Sequence, residues 1–338
     1  MLGVDERMNS KIEVVSSGNT SRIEFIGIIG IGEWQRDAAK LQSDIASNEL
    51  FQIFVGFEQC KNCIPIAIVT LFVSLARKEN AYISVYLSSD GGDGSGMVLK
   101  LFSAMKIWNL CKQLGISLYL DSEEWVDQCV DIGDQECSPL MIFNVMDYSP
   151  EYIVEELFNN AKWGCIDSYD TDIKVKNILF ETITNIKEHA YPDGKKPYAG
   201  VFVRRCKGFA LEEKYECHNT VKHLYANRNK EYYQQIEHFY EIIVVDEGIG
   251  LTTSLGVKNI DGTETKYPFS ESIKRTFIKG ERRKASGNYK SYYSGLNLVF
   301  KLLGENADYV YGMEGEELID LICAGNSPLN RHLLQNSS

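Results

Sequence analysis

Between Ser21 and Tyr119 the apolar positions fall into short runs that alternate with longer stretches of helical period. Ile23 to Ile31, Leu50 to Phe57, Tyr82 to Leu87 and Ser117 to Leu120 have the length and composition of strands. Ile64 to Lys78 and Met97 to Leu114 have the length of helices. This alternation predicts an α/β layer over residues 21–120, with helices packed on a sheet. Residues 1–20 are polar and are expected to be loose. Residues 121–149, acidic at first and containing Gly133 and Pro139, are expected to connect this layer to a second domain. That domain begins at Pro150, where Ser149 as N-cap and proline in the first turn predict a helix to about Asn160. A second helix through Glu181 to His189, a strand at Tyr198 to Arg204, an apolar strand at Ile242 to Val245 and an apolar helix at Leu296 to Leu303 follow. Two short strands are then expected to finish the sheet. Residues 207–240 interrupt this order with a segment rich in Glu, Lys, Asn and Tyr, expected to be helical around Lys230 to Phe239. Residues 326–338 read as a polar tail.

Two places in the second domain concentrate chemistry. Glu181 and Asn185 stand four residues apart, so both lie on one face of their helix and can address one ligand. Ile178, Leu179, Ile183, Ile186 and Ala190 fall largely on other faces, leaving that polar pair outside the packing surface. Downstream, the apolar run ends in Asp246, followed by Gly248 and Gly250, which presents a carboxylate on a strand tip where the backbone can turn beside a flat ligand. Each feature also has an ordinary explanation: a polar helix face in the first case, and in the second a strand-to-loop turn that favours Asp and Gly for local reasons.

Together, Glu181-Thr-Ile-Thr-Asn185-Ile-Lys-Glu-His189-Ala and Val245-Asp246-Glu247-Gly248-Ile249-Gly250 resemble the N box and the first glycine box of the GHKL superfamily. That superfamily holds histidine kinases, gyrase-type and Hsp90-type ATPases, and anti-sigma serine kinases. Ser294-Gly295-Leu296-Asn297-Leu298 is similar to the second glycine box. The resemblance covers residues 150–325 and implies a Bergerat-type ATP-binding domain, an α+β sandwich with helices on one face of a mixed sheet. It implies that Asn185 ligates Mg²⁺ and that Glu181 is the general base or water-orienting carboxylate. Asp246 would accept a hydrogen bond from the adenine amino group, with Gly248 and Gly250 allowing close backbone approach. Gly295, opening a helix, would set backbone N–H groups near phosphate. Lys279, in Lys279-Gly280-Glu281-Arg282-Arg283-Lys284, would belong to an ATP lid, a solvated loop being the alternative for any one of these cations.

The chain departs from the family pattern twice. Asn297 replaces the second phosphate-side glycine, and Glu188 stands three after the asparagine, where many histidine kinases carry a basic residue. Both bear on turnover more than on binding, and Glu188 is expected to face solvent. His189 reads as a residue at a helix end, where its charge suits the dipole, or alternatively as a phosphoacceptor. The motif wording is closest to the anti-sigma serine-kinase and stand-alone ATPase branches. The implied function is a Mg²⁺-dependent ATP-binding protein that hydrolyses ATP or transfers phosphate to a partner protein as a regulatory switch. The alternative, which Asn297 favours, is a nonenzymatic scaffold whose bound nucleotide sets partner affinity.

The N-terminal layer is similar in element order to STAS-like domains of anti-sigma factor antagonists. Phe57 to Leu75 would then be the strand, loop and helix that carry a phosphorylated serine in those proteins. Here the loop reads Glu58-Gln-Cys60-Lys-Asn-Cys63-Ile-Pro65 and has no hydroxyl residue. Ser88-Ser-Asp-Gly-Gly-Asp-Gly-Ser-Gly96 is the most glycine-rich stretch, but it lacks a following Gly-Lys-Ser/Thr and carries two aspartates, so a flexible connection accounts for it better than a phosphate cradle.

Composition narrows the partners. With 44% hydrophobic residues in 338, the chain is long enough for two ordinary domains with sizeable cores. Its formal charge of −12 argues against nonspecific association with nucleic acid or anionic membrane. The N-terminus lacks the order of a signal peptide, and the longest apolar run, Ile64 to Ala76, is too short for a bilayer, so a cytoplasmic location is expected. Nine irregularly spaced cysteines suit reduced thiols. Cys60-Lys-Asn-Cys63 is a single CxxC, which would need Cys217, His218 or His223 from elsewhere to complete a zinc site.

Overall fold

In the computed structural model the described residues are 10–46, 50–78, 80–89, 96–124, 136–161, 169–189, 198–207 and 238–248, with the backbone of five short strands beyond them. The chain is mixed α/β and divides into two compact units, neither contiguous in sequence. The first comprises Met1–Phe143, Leu157–Gly164 and Tyr198–Val245; the second comprises Asn144–Glu156, Cys165–Pro197 and Asp246–Ser338.

The first unit is built on a seven-stranded sheet with order β1-β2-β3-β5-β6-β7 and β4 attached to β2. The strands are β1 (Lys11–Ser17), β2 (Thr20–Ile29), β3 (Gln52–Gly56), β4 (Cys60–Cys63), β5 (Tyr82–Leu87), β6 (Ser117–Leu120) and β7 (Glu123–Glu124). β2, β3, β5 and β6 run parallel, β4 runs parallel to β2, and β1 and β7 are antiparallel at the two edges. The interspersed helices are α1 (Ile31–Ala46), α2 (Pro65–Ala76), α3 (Met97–Ala104) and α4 (Ile107–Leu114).

β1 occupies a stretch expected to be loose. Ile12 and Val14 alternate with Lys11 and Glu13, so one face is buried opposite Phe25 and Ile23 while the other stays polar. The Ile12 N–H also donates to Asp37 Oδ2 at 2.8 Å, joining the strand to α1. β4 likewise replaces a simple loop between β3 and α2.

The core of this unit is aromatic. Phe25 stacks on Phe57 with ring centroids 4.2 Å apart, Phe102 meets Phe57 edge-on at 5.1 Å, and Phe72 meets Phe102 edge-on at 6.2 Å; all four are fully buried. α2 is buried along nearly its whole length, its two hydroxyl residues Thr70 and Ser74 included, as its predominantly apolar sequence requires.

The single helix expected over Met97 to Leu114 is two. Lys106 adopts φ 53°, and the ladder restarts there, with the Asn109 N–H donating to Lys106 O. Tertiary competition is the cause: the Met105 carbonyl accepts the Leu140 N–H at 2.8 Å, and the Ala104 carbonyl accepts the Cys137 thiol at 3.3 Å. With these two carbonyls engaged from outside, the helix breaks.

A second sheet, ordered β11-β10-β8 with β9 on β10, is made by β8 (Glu136–Cys137), β9 (Met141–Asn144), β10 (Tyr198–Lys207) and β11 (His238–Asp246). The stretch expected to connect domains therefore supplies β7, β8 and β9. Residues 238–239, expected to be helical, open β11, while 208–237 of the insertion lie outside the described residues. Ser138, fully buried, extends the pairing of β8: its N–H donates to Val203 O at 2.8 Å, and its Oγ accepts the Val203 N–H at 3.0 Å. α2 packs on β10 at Gly200, where side-chain atoms of Val69, Val73 and Ile142 fill the space a Cβ would take.

α5 (Pro150–Asn159), whose residues to Glu156 belong to the second unit, begins at the expected place: the Tyr152 N–H donates to Ser149 Oγ at 3.2 Å, making Ser149 the cap. α6 (Tyr169–His189) follows. β12 (Val257–Lys258) and β13 (Glu264–Thr265) form an antiparallel pair, and β14 (Tyr309–Glu314), β15 (Glu317–Ile322) and β16 (Leu333–Gln335) an antiparallel sheet. Where two closing strands were expected, the described residues show three, the last within the stretch read as a polar tail.

Candidate functional site

α6 carries Glu181 and Asn185 one helical turn apart. Its packing face is Val175, Ile178, Leu179, Ile183 and Ile186, all buried, with Leu179 and Ile183 at 0% and 1% exposure. Glu181 and Asn185 are half-buried, so the helix sorts them away from its apolar seam as the spacing predicted. Glu188 is exposed. Thr182 Oγ1 donates back to Ile178 O at 2.7 Å, satisfying a hydroxyl on the same stretch of helix.

Two features of α6 were not singled out in the sequence. Lys176 pairs with Asp172 at 2.7 Å across one turn, a spacing readable in advance as an i,i+4 charge pair. Lys187 Nζ donates to the Tyr148 carbonyl at 2.9 Å and ties the helix to the segment that leads into α5, where Tyr148 and Tyr152 stack with centroids 5.2 Å apart. No local signal marks this second contact, because it depends on tertiary placement.

Asp246 ends β11, and the Gly248 N–H donates to its Oδ1 at 2.8 Å. This side-chain-to-backbone bond two residues on is an Asx-type turn, and it fixes both the carboxylate and the start of the glycine-containing loop. Asp246, Glu247 and Gly248 are half-buried. Over residues 240–246 of β11, Ile243 is buried and the others are half-buried, so this stretch is less enclosed than its apolar sequence suggested.

Glu181, Asn185, Asp246 and Gly248 belong to the same compact unit, although 60 positions separate Asn185 from the strand tip at residue 245. Gly250, Lys279 and Gly295 lie outside the described residues, as do Asn297, Cys217, His218 and His223. Among the described residues no three His, Cys, Asp or Glu side chains cluster as a metal site. The oxygen donors of Glu181 and Asn185 are of the hard type that suits Mg²⁺, which is bound by one or two protein oxygens with the remainder from water and phosphate.

No helix among the described residues is long and apolar enough to cross a membrane. No protein-family model matches the chain, and no curated protein matches its sequence.

Proposed function

We propose that this protein binds Mg·ATP through its second unit and acts as a nucleotide-dependent switch, hydrolysing ATP or passing phosphate to a partner protein. The single observation that supports it is that a half-buried carboxamide on α6 and a turn-locked carboxylate at the end of β11, far apart in sequence, fall in one compact unit.

In this proposal Asn185 would hold Mg²⁺ through its carboxamide oxygen, and the ion, when bound, would offset the negative charge of the phosphates. Glu181, one turn earlier on the same face, holds a water or hydroxyl nucleophile and accepts its proton. Asp246, its Oδ1 already oriented by the Gly248 N–H, accepts from the exocyclic amino group of adenine and so distinguishes adenine from guanine. α6 contributes rigidity: its buried seam holds Glu181 and Asn185 in a fixed relation, which is what positioning and electrostatic catalysis of phosphoryl transfer require.

Calorimetric titration with ATP, in the presence and absence of Mg²⁺, tests the assignment. The expected outcome is Mg²⁺-dependent binding that Asn185→Ala abolishes, with Glu181→Ala retaining affinity but releasing no phosphate. Equal affinity of Asn185→Ala and the parent chain for Mg·ATP refutes it.

A further inference from the structure

The two cysteines of Cys60-Lys-Asn-Cys63 are three positions apart, which in a regular strand sends their side chains to opposite faces. β4 is not regular. Its partners on β2 run Gly27↔Cys60 and then Ile28↔Asn62, so Lys61 is passed over and β4 accommodates one extra residue. On the other side of the bulge Gly27 takes φ 71°, a left-handed conformation that favours glycine, and its N–H donates to Gln59 O at 2.9 Å. The extra residue shifts Cys63 by one place and returns it to the face of Cys60. Both cysteines are buried, at 0% and 3% exposure, while Lys61 and Asn62 between them are half-buried. Cys60 Sγ donates to Asn62 O at 3.3 Å and Cys63 Sγ to Ile64 O at 3.6 Å, and the two thiols are near enough for Cys60 to shift the Cys63 thiol. Both are free in this structure.

We propose that Cys60 and Cys63 are a reversible dithiol–disulfide couple, oxidised to an intramolecular disulfide by small-molecule disulfides of the glutathione type. Cys60 gives up its proton and attacks one sulfur of the oxidant, and the first reduced thiol leaves with that proton. Cys63 then gives up its proton and attacks the Cys60 sulfur of the mixed disulfide. The Cys60–Cys63 bond forms, and the second reduced thiol departs with that proton. Two thiols of the chain are oxidised and one external disulfide is reduced to two thiols.

Three properties of the site support this chemistry. The bulge has already set both cysteines on one face of β4, so closing the ring needs little further ordering of the chain. The product suits its surroundings, because an S–S bond leaves no donor to satisfy in an apolar interior. Burial, together with its interaction with Cys60, pushes the Cys63 thiol up and keeps it protonated, which suits Cys63 to the second, ring-closing step. Access is gated by β4, a four-residue strand whose pairing among the described residues is to β2 alone, so the oxidant enters when that short ladder opens. Cys111 and Cys137 are also buried thiols and serve as internal controls. The couple is independent of nucleotide binding.

The full-length chain is equilibrated in glutathione buffers of rising oxidised fraction, quenched in acid, alkylated in denaturant and digested with trypsin. Cleavage after Lys61 separates the two cysteines in the reduced chain. A disulfide keeps the peptides joined, or leaves one uncut peptide lacking two hydrogens. The oxidised species should reach half-formation at a ratio of oxidised to reduced glutathione at least about tenfold below that at which Cys111 or Cys137 loses alkylation. Cys63→Ser should trap glutathione on Cys60, and Cys60→Ser should leave Cys63 alkylated. If Cys60 and Cys63 in the parent chain stay alkylated up to the ratio that oxidises Cys111 or Cys137, the couple does not exist. Glutathione adducts on Cys60 of the parent chain without a joined species would overturn it equally.

Discussion

Gly200 on β10 lies directly against Val73 on α2: a Cβ built on the glycine would come within 2.6 Å of the valine Cγ2, and within 2.8 Å and 2.9 Å of methyl carbons of Ile142 and Val69. Two of these neighbours are β-branched residues on a buried helix, with little rotamer freedom to yield. Gly200→Ala should therefore push α2 away from β10 and destabilise the protein by roughly 1–3 kcal/mol. Denaturant unfolding of parent and variant measures it, and an unchanged midpoint would show that the helix can move aside freely.

The cap of α5 is a separable contribution. Ser149 Oγ accepts the Tyr152 N–H at 3.2 Å, and Pro150 behind it needs no partner for a missing N–H. Removing the hydroxyl in Ser149→Ala should cost about 1 kcal/mol, while Ser149→Asp should retain most of the stability. Loss of equal size in both variants would assign the effect to something other than capping.

At the strand tip, Asp246 combines a structural bond to Gly248 with the proposed contact to adenine. Asp246→Asn keeps an oxygen for the Gly248 N–H but weakens acceptance from an amino group, so ATP affinity should drop about tenfold or more while the fold is retained. Competition between ATP and GTP supplies the check: the parent chain should prefer ATP, and the variant should lose much of that preference. A parent chain indifferent to the base contradicts the role given to Asp246.

Acid should act at the end of β6. Hydrogen bonds from Ser89, side chain first and backbone second, hold the Asp121 carboxyl below its ordinary value, the backbone N–H lying 3.0 Å from Oδ1. A carboxylate depressed in the folded state stabilises the fold above its unfolded pKa of about 3.9 and stops doing so as pH falls through the lower folded value. Asp121 is largely exposed, so the effect on stability should be small, but its position in a carbon-detected NMR titration should sit visibly below that of a free aspartate. Asp121 and Ser122 both have positive φ, at 50° and 70°, so Ser122→Gly should relieve strain without moving this titration. A midpoint at or above the ordinary value would count against the Ser89 contact in solution.

Much of the first sheet was legible because its strands are short apolar runs bounded by polar turns. The expected strand at Tyr82 to Leu87 and the one at Ser117 to Leu120 coincide with β5 and β6. β1 escaped notice because only Ile12 and Val14 point inward, too brief an alternation to stand out from a polar N-terminus. The break at Lys106 was invisible for a different reason: the groups that cause it, Leu140 and Cys137, come from more than thirty residues away. On α6, the sorting of Glu181 and Asn185 away from Ile183 and Ile186 followed from helical period alone. The tether from Lys187 to Tyr148 did not, since a lysine on a half-exposed face has many available acceptors and only the folded chain selects one. At Asp246, the neighbouring glycine pointed to a turn, and the bond to the Gly248 N–H is its physical form.

The polypeptide passes from one unit to the other at residues 143/144, 156/157, 164/165, 197/198 and 245/246, so neither half can be excised as a single fragment. A polypeptide stopped just short of Tyr198 would leave Val69 and Val73 without the strand that packs on them, and one started at Pro150 would carry β10 without the helix it packs on. Genetic dissection of this protein must therefore proceed by substitution at chosen side chains. For the same reason, ribosomal synthesis has to reach Val245 before the first unit has all of its parts.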